Sequence, residues 1–149
     1  MLQVKTPDAV YEEIMYLKKN YGIKALLVKD EIAIHPSKQI STPILEAIQA
    51  ANIVWRGQTV TKNTREQLEL AKASGCKELA VGVETVDTTV MHNINKQWQN
   101  LEQIEKFIAN ARDLGIRIRI CLILGLPGEG IDIVDKTIEF IEKNEIEYA

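Results

Sequence analysis

Four short strings in this chain hold residue types that can do chemistry. Asp30-Glu31 is an acidic pair, which either clamps an ammonium group or a cation or serves to cap a helix and solvate a loop. Gln58, in Gly57-Gln58-Thr59, is either a two-way hydrogen bonder or a plain loop residue. Glu84, in Gly82-Val83-Glu84-Thr85, follows an apolar run directly. A carboxylate there can accept ribose hydroxyl hydrogen bonds, as strand-end acids do in nucleotide folds, or sit in an internal ion pair. Gly125-Leu126-Pro127-Gly128-Glu129 is the most specific string, because two glycines around Leu-Pro let backbone approach a flat ligand closely. No Gly-Lys-Ser/Thr follows it, so it is not a P-loop. Lys96 either reaches an anionic ligand or is surface charge. His35 and His92 have no second ligand beside them in the sequence, so no metal site is expected. Trp55, Cys76 and Cys121 read as core residues.

A repeated grammar must position these strings. An amphipathic helix ends in Gly, and a short β-rich run follows: Gly22 before Ala25-Leu26-Leu27-Val28, Gly75 before Leu79-Ala80-Val81, Gly115 before Ile118 to Leu124. A fourth unit uses Asn52 in the same place. Thr6-Pro7, Thr42-Pro43 and Asn63-Thr64 read as helix starts. The helix near 100–114 carries Leu101, Ile104, Ile108 and Ala111 on one stripe, and the last, near 131–143, carries Ile131, Val134, Ile138 and Ile141. Strands are expected at about 24–29, 52–56, 78–83 and 117–124, and Ile146 to Ala149 opens a fifth. They read as apolar runs, which predicts a parallel sheet in one α/β domain over 1–149. Ligands of such sheets bind beyond the carboxyl ends of the strands, and all four chemical strings fall there.

Composition narrows the class. The chain has 149 residues and a net charge of −3, so bulk-charge binding to nucleic acid is not expected. No apolar run approaches the roughly 20 residues of a membrane span, and the N-terminus lacks the apolar segment of a signal peptide. Two distant cysteines make neither a disulfide framework nor a metal spacing, which predicts a cytoplasmic protein with free thiols.

Taken in order, the strings resemble the radical S-adenosylmethionine (SAM) superfamily. The likeness is to the branch that often carries a cobalamin-binding domain and to the related methylthiotransferases. It rests on Tyr21-Gly22-Ile23-Lys24, Asp30-Glu31, Trp55-Arg56-Gly57-Gln58-Thr59, Gly75-Cys76-Lys77, Gly82-Val83-Glu84-Thr85, Asn95-Lys96, Ala111 to Ile116, Ile123 to Glu129, and Thr137. The resemblance implies part of a (βα)₆ barrel, a partial TIM barrel, holding strands two to five. It implies that Asp30 and Glu31 receive the amino group of SAM. Glu84 would hold the ribose or the methionyl end, and Lys96 would face the carboxylate. Ile123, Gly125 and Leu126 would pack on adenine, and Gln58 would face SAM or substrate.

One departure stands out. The family binds a [4Fe–4S] cluster through CxxxCxxC, and two separated cysteines cannot supply three thiolates. The expectation is a piece of a larger radical SAM enzyme, inactive alone, with SAM and the cluster as cofactors of the parent. The other reading is a non-catalytic α/β binding or assembly module with a vestigial SAM site. Unpaired sheet edges and an apolar inner face predict a homodimer through one or the other.

Overall fold

A computed structural model describes residues 4–94 and 100–149. Ten elements follow one another: α1 (Pro7–Tyr21), β1 (Ala25–Leu27), α2 (Lys38–Ala50), β2 (Val54–Thr59), α3 (Arg65–Ala73), β3 (Cys76–Glu84), α4 (Thr88–Asn93), α5 (Leu101–Asp113), β4 (Arg117–Leu122) and α6 (Ile133–Lys143). The strands form one parallel sheet in the order β1-β2-β3-β4. Parallel neighbours need a crossover each time, and the intervening helices supply it. The result is the expected partial TIM barrel. Ile120 N–H donates to the Tyr148 carbonyl at 3.1 Å, and Arg119 pairs in parallel with Tyr148, so a fifth strand position opens beside β4.

Local chemistry sets the boundaries. Thr6 caps α1 and accepts from Ala9 N–H at 3.3 Å, with Pro7 at the first helical position. Thr64 and Gln67 form a reciprocal capping box on α3. Gly22, Gly75 and Gly115 all have positive φ, and Asn52 takes φ 48° in their stead. Thr42-Pro43, however, does not start a helix. The helix begins at Lys38 after Ser37, and Pro43 lies inside it. Pro43 lacks the N–H that would bond to the Gln39 carbonyl, and Gln39 is exposed, so water can satisfy that carbonyl. The short α4 after β3 was not anticipated; Asp87 caps it, accepting from Thr89 and Val90 N–H.

The core lies between the sheet and its helices. Leu79, Val81, Val83, Ile118 and Ile120 meet Leu45, Leu68, Ile104 and Ile108. Trp55 is 1% exposed, and its indole N–H donates to Ser74 Oγ at 3.0 Å. On α5 the expected stripe holds, extended by Phe107. On α6 it does not: Ile133, Thr137 and Phe140 are buried, while Ile131, Val134 and Ile138 are exposed.

The opposite, inner face of the sheet overturns another expectation. The strands are not apolar on both sides. Val54, Arg56 and Gln58 alternate with buried Trp55, Gly57 and Thr59 along β2, and Arg117, Arg119 and Cys121 alternate with buried Ile118 and Ile120 along β4. Register aligns Leu27, Arg56, Glu78 and Arg117 in one row and Gln58, Ala80 and Arg119 in the next. Cys121 is therefore exposed on this face rather than buried in the core. The premise of a dimer sealed by an apolar inner face fails with it, because that face carries charge.

Candidate functional site

The strand exits gather at one end of the sheet, in two groups. The first surrounds β1 and β2. The chain leaving β1 keeps following β2: Val28 N–H donates to the Arg56 carbonyl at 2.8 Å and Ala33 N–H to the Gln58 carbonyl at 2.7 Å. This brings the Asp30-Glu31 segment beside Gln58. Both acids are exposed. They line a groove of about 820 Å³ shared with Lys5, His35, Ser41 and Ile44, between α1 and α2. Lys5 has a raised pKa, chiefly through its hydrogen bond and charge pairing with Glu13 and, more weakly, through the negative field of Asp30. His35 is committed locally, its Nδ1 accepting from Ser37 N–H at 3.0 Å.

The second group surrounds β3 and β4. Glu84 ends β3 with φ 66°, a left-handed conformation that costs a residue with a side chain about 1–2 kcal/mol. The turn is closed by Thr85 N–H to the Val83 carbonyl at 2.9 Å. The Glu84 carbonyl accepts from Ile123 N–H at 2.8 Å, so the carboxylate-bearing turn and the exit of β4 are tied together. Ile123 is 48% exposed and presents an apolar surface there. Beyond it, Glu129 Oε2 accepts from both Gly125 N–H at 2.7 Å and Leu126 N–H at 2.9 Å. One carboxylate thus folds the Gly-Leu-Pro-Gly-Glu string into a closed loop. Gly125 has φ 86° with open space where a Cβ would stand, so backbone is accessible at that point. A Cβ at Gly128 would lie 3.6 Å from Asn93 Nδ2, which seats the loop against α4.

The structure therefore brings Glu84, Ile123, Gly125 and Leu126 together, sets Gln58 on the inner face, and places Asp30 and Glu31 on the neighbouring rim. Lys96 lies outside the described residues. Among the described residues no three His, Cys, Asp or Glu side chains gather to hold a metal ion. The two thiols lie apart: Cys76 is in the core, where burial pushes its pKa up to about 12, and Cys121 is exposed. They do not fit an iron–sulfur cluster.

Several residues of the inner face escaped the sequence reading. Glu78 stands between Arg56 and Arg117, 3.6 Å from each. Arg117, the first residue of β4, belongs to this row. Arg119 was passed over entirely. The signal that finds them is the polar residue at every second position of β2 and β4. Glu129 was legible only as part of its string; its role in closing the loop needed the fold.

A family model described as the radical SAM superfamily matches residues 2–141. The chain belongs to that superfamily. Among curated relatives, an uncharacterized methyltransferase of Pyrococcus horikoshii is 25% identical over 144 residues, covering 95% of this chain and 31% of that protein. The bacteriochlorophyllide d C-12(1)-methyltransferase of Chlorobaculum tepidum is 24% identical over 146 residues, covering 95% and 32%. The chain spans about a third of the length of these curated relatives. Among solved structures, the radical SAM methyltransferase TsrM from Kitasatospora setae superposes with a TM-score of 0.83 at 16% identity, over 95% of this chain and 28% of that one. Coproporphyrinogen III oxidase from Escherichia coli, also a radical SAM enzyme, gives 0.75 at 19% identity, over 94% and 34%. Both show the shared fold. No helix among the described residues is long and apolar enough to cross a membrane.

Proposed function

We propose that residues 1–149 form one domain, the SAM-binding part of a radical SAM methyltransferase, with β1 to β4 standing as strands two to five of the family barrel. The observation that carries this reading is the convergence of Glu84, Ile123 and the Gly125-Leu126 loop edge at one end of the sheet, with Asp30, Glu31 and Gln58 on the adjoining rim. Their chemistry suits SAM. Asp30 and Glu31 receive the ammonium group, and Glu84 accepts ribose hydroxyls. Ile123 offers an apolar platform for adenine, and the open Gly125 backbone lets the ring approach. Gln58 faces SAM or substrate from the sheet, and Lys96 pairs with the carboxylate. When bound, SAM supplies an activated methyl group and a cleavable sulfonium.

Methyl transfer is favoured as the reaction class by the names of the two curated relatives. The [4Fe–4S] cluster is assigned to residues other than these, since Cys76 and Cys121 cannot hold it. Free thiols suit a cytoplasmic setting.

Titrating SAM into the isotope-labelled chain tests the reading. Amide shifts should concentrate at Asp30, Glu84, Gly125 and Leu126, and Glu84→Gln should weaken binding by about tenfold, the loss of a charge-assisted hydrogen bond. Unchanged affinity in Glu84→Gln removes that residue from the site. Shifts centred at the opposite end of the sheet, near Gly115 to Arg117, overturn the proposal.

A further inference from the structure

The inner face of the sheet divides into an acidic rim and a basic floor. On the floor, three guanidinium groups, Arg56, Arg117 and Arg119, accompany one carboxylate, Glu78. That carboxylate satisfies two of them weakly: both of its contacts are 3.6 Å, beyond hydrogen-bond range, so the arginine N–H donors are largely unspent. Arg119 goes further. It is exposed, and among the described residues its side chain has no acceptor at all. Barrel interiors are ordinarily filled by Val, Ile and Leu. Here the middle strand instead offers Ala80 and Gly82, the two smallest side chains, at the level of Arg119 and just above it. Register sets Gln58 on the far side of Ala80 from Arg119. An amide and a guanidinium thus stand on either side of Ala80, which is 3% exposed between them, one layer beneath the proposed SAM site. In a chain of net charge −3, this is a concentrated positive field facing a chamber.

We propose that Arg119, with Gln58 across Ala80, anchors an oxyanion of the substrate, a carboxylate or a phosphate, on the floor of the lumen. The guanidinium presents a planar fork of donors that fits either group bidentately. Arg56 and Arg117 add field without direct contact, and Glu78 keeps them from collapsing onto the ligand. The inference rests on the reading of this face as the reaction chamber, and it fixes the substrate class as anionic.

The test uses inorganic phosphate and, separately, succinate, with the chain labelled so that arginine Nε–H signals resolve. Saturable shifts at Arg119 Nε–H and the Gln58 side-chain amide are expected. Arg119→Met should weaken binding by about tenfold or more, and Arg119→Lys should restore only part of it, since an ammonium cannot form the fork. Arg119 has no partner to lose, so both variants should keep the amide spectrum of the folded chain. The stronger of the two anions identifies the oxyanion. Phosphate shifts that are unchanged in Arg119→Met, or that spread evenly over surface lysines, overturn the proposal. So does failure of both anions to bind, which would leave the floor to a carboxylate of the protein itself. SAM titration reads the rim independently: SAM binding without anion binding sinks only this inference, and anion binding without SAM binding sinks only the SAM reading.

Discussion

Glu78 is the residue on which the inner face turns. It is 11% exposed at the side chain, and the two arginines beside it are about half exposed. Removing it leaves two like charges facing each other across a strand, so Glu78→Leu should cost about 1–2 kcal/mol, less than a fully buried pair because the arginines remain hydrated. Urea unfolding reads this directly, and the loss should shrink in high salt. An unchanged midpoint would reduce the row to solvated charge. Cys76 carries a pH signature. Its folded pKa is raised by burial from an ordinary 9.0 to about 12, so the folded state holds its proton where the unfolded chain has released it. That contribution is complete below about pH 9 and drains away as pH rises toward 12. In the folded chain at pH 8, a thiol reagent should label exposed Cys121 and spare Cys76; rapid labelling of both would contradict the packing. The sequence distinguished these cysteines poorly. Cys76 follows Gly75 and Cys121 follows Ile120, and only the alternation of strand faces tells which is buried.

Helix and strand ends were the most legible features, because they are decided by a few adjacent residues. Thr6-Pro7, Asn63-Thr64 and the four left-handed turns all read correctly from neighbours alone. Gly75 shows how firm such a position is. Its φ is 98°, and a Cβ would stand 2.3 Å from the Ile53 carbonyl oxygen. Gly75→Ala should therefore destabilise by about 2 kcal/mol or more, read as a fall in thermal midpoint. Gly22 has open space at the same place in its helix, and an Ala there should cost only the backbone term, about 1 kcal/mol. Pro43 was misread because a Thr-Pro pair is a start signal by local rules, and only packing reveals that Ser41, buried against Gln67, already lies within the helix. The phase of α6 was misread for a related reason. Ile131, Val134 and Ile138 share a stripe, but so do Ile133, Thr137 and Phe140, and the sheet chose the second. Amphipathic spacing names the candidate faces; the neighbour decides between them.

For the molecule as a whole, the inner face of the sheet carries charge and the helical face carries the core. Among the described residues β1, three residues long, is the outer strand on one side, and Tyr148 partly pairs with β4 on the other. Apolar exposure includes Ile131, just before α6, with Val134 and Ile138 on it, besides Tyr11, Met15, Tyr16 and Tyr21 on α1 and Ile123 and Leu124 beyond β4. Replacing Val134 and Ile138 together with Lys should leave the unfolding free energy within about 0.5 kcal/mol while raising solubility; a large loss of stability would mean this face is packed in solution. The fold class was readable from the α/β alternation, since each helix must bridge parallel neighbours. The charged floor was not, because the strands were read for hydrophobic content rather than for period. The sheet order carries one more consequence. Strand neighbours in space are also neighbours in the chain, from β1 through β4. Each pairing therefore closes a loop of one helix, or of two between β3 and β4, and the entropic cost of assembly comes in small instalments. During synthesis the sheet can grow from β1 toward β4, one strand per emerging unit.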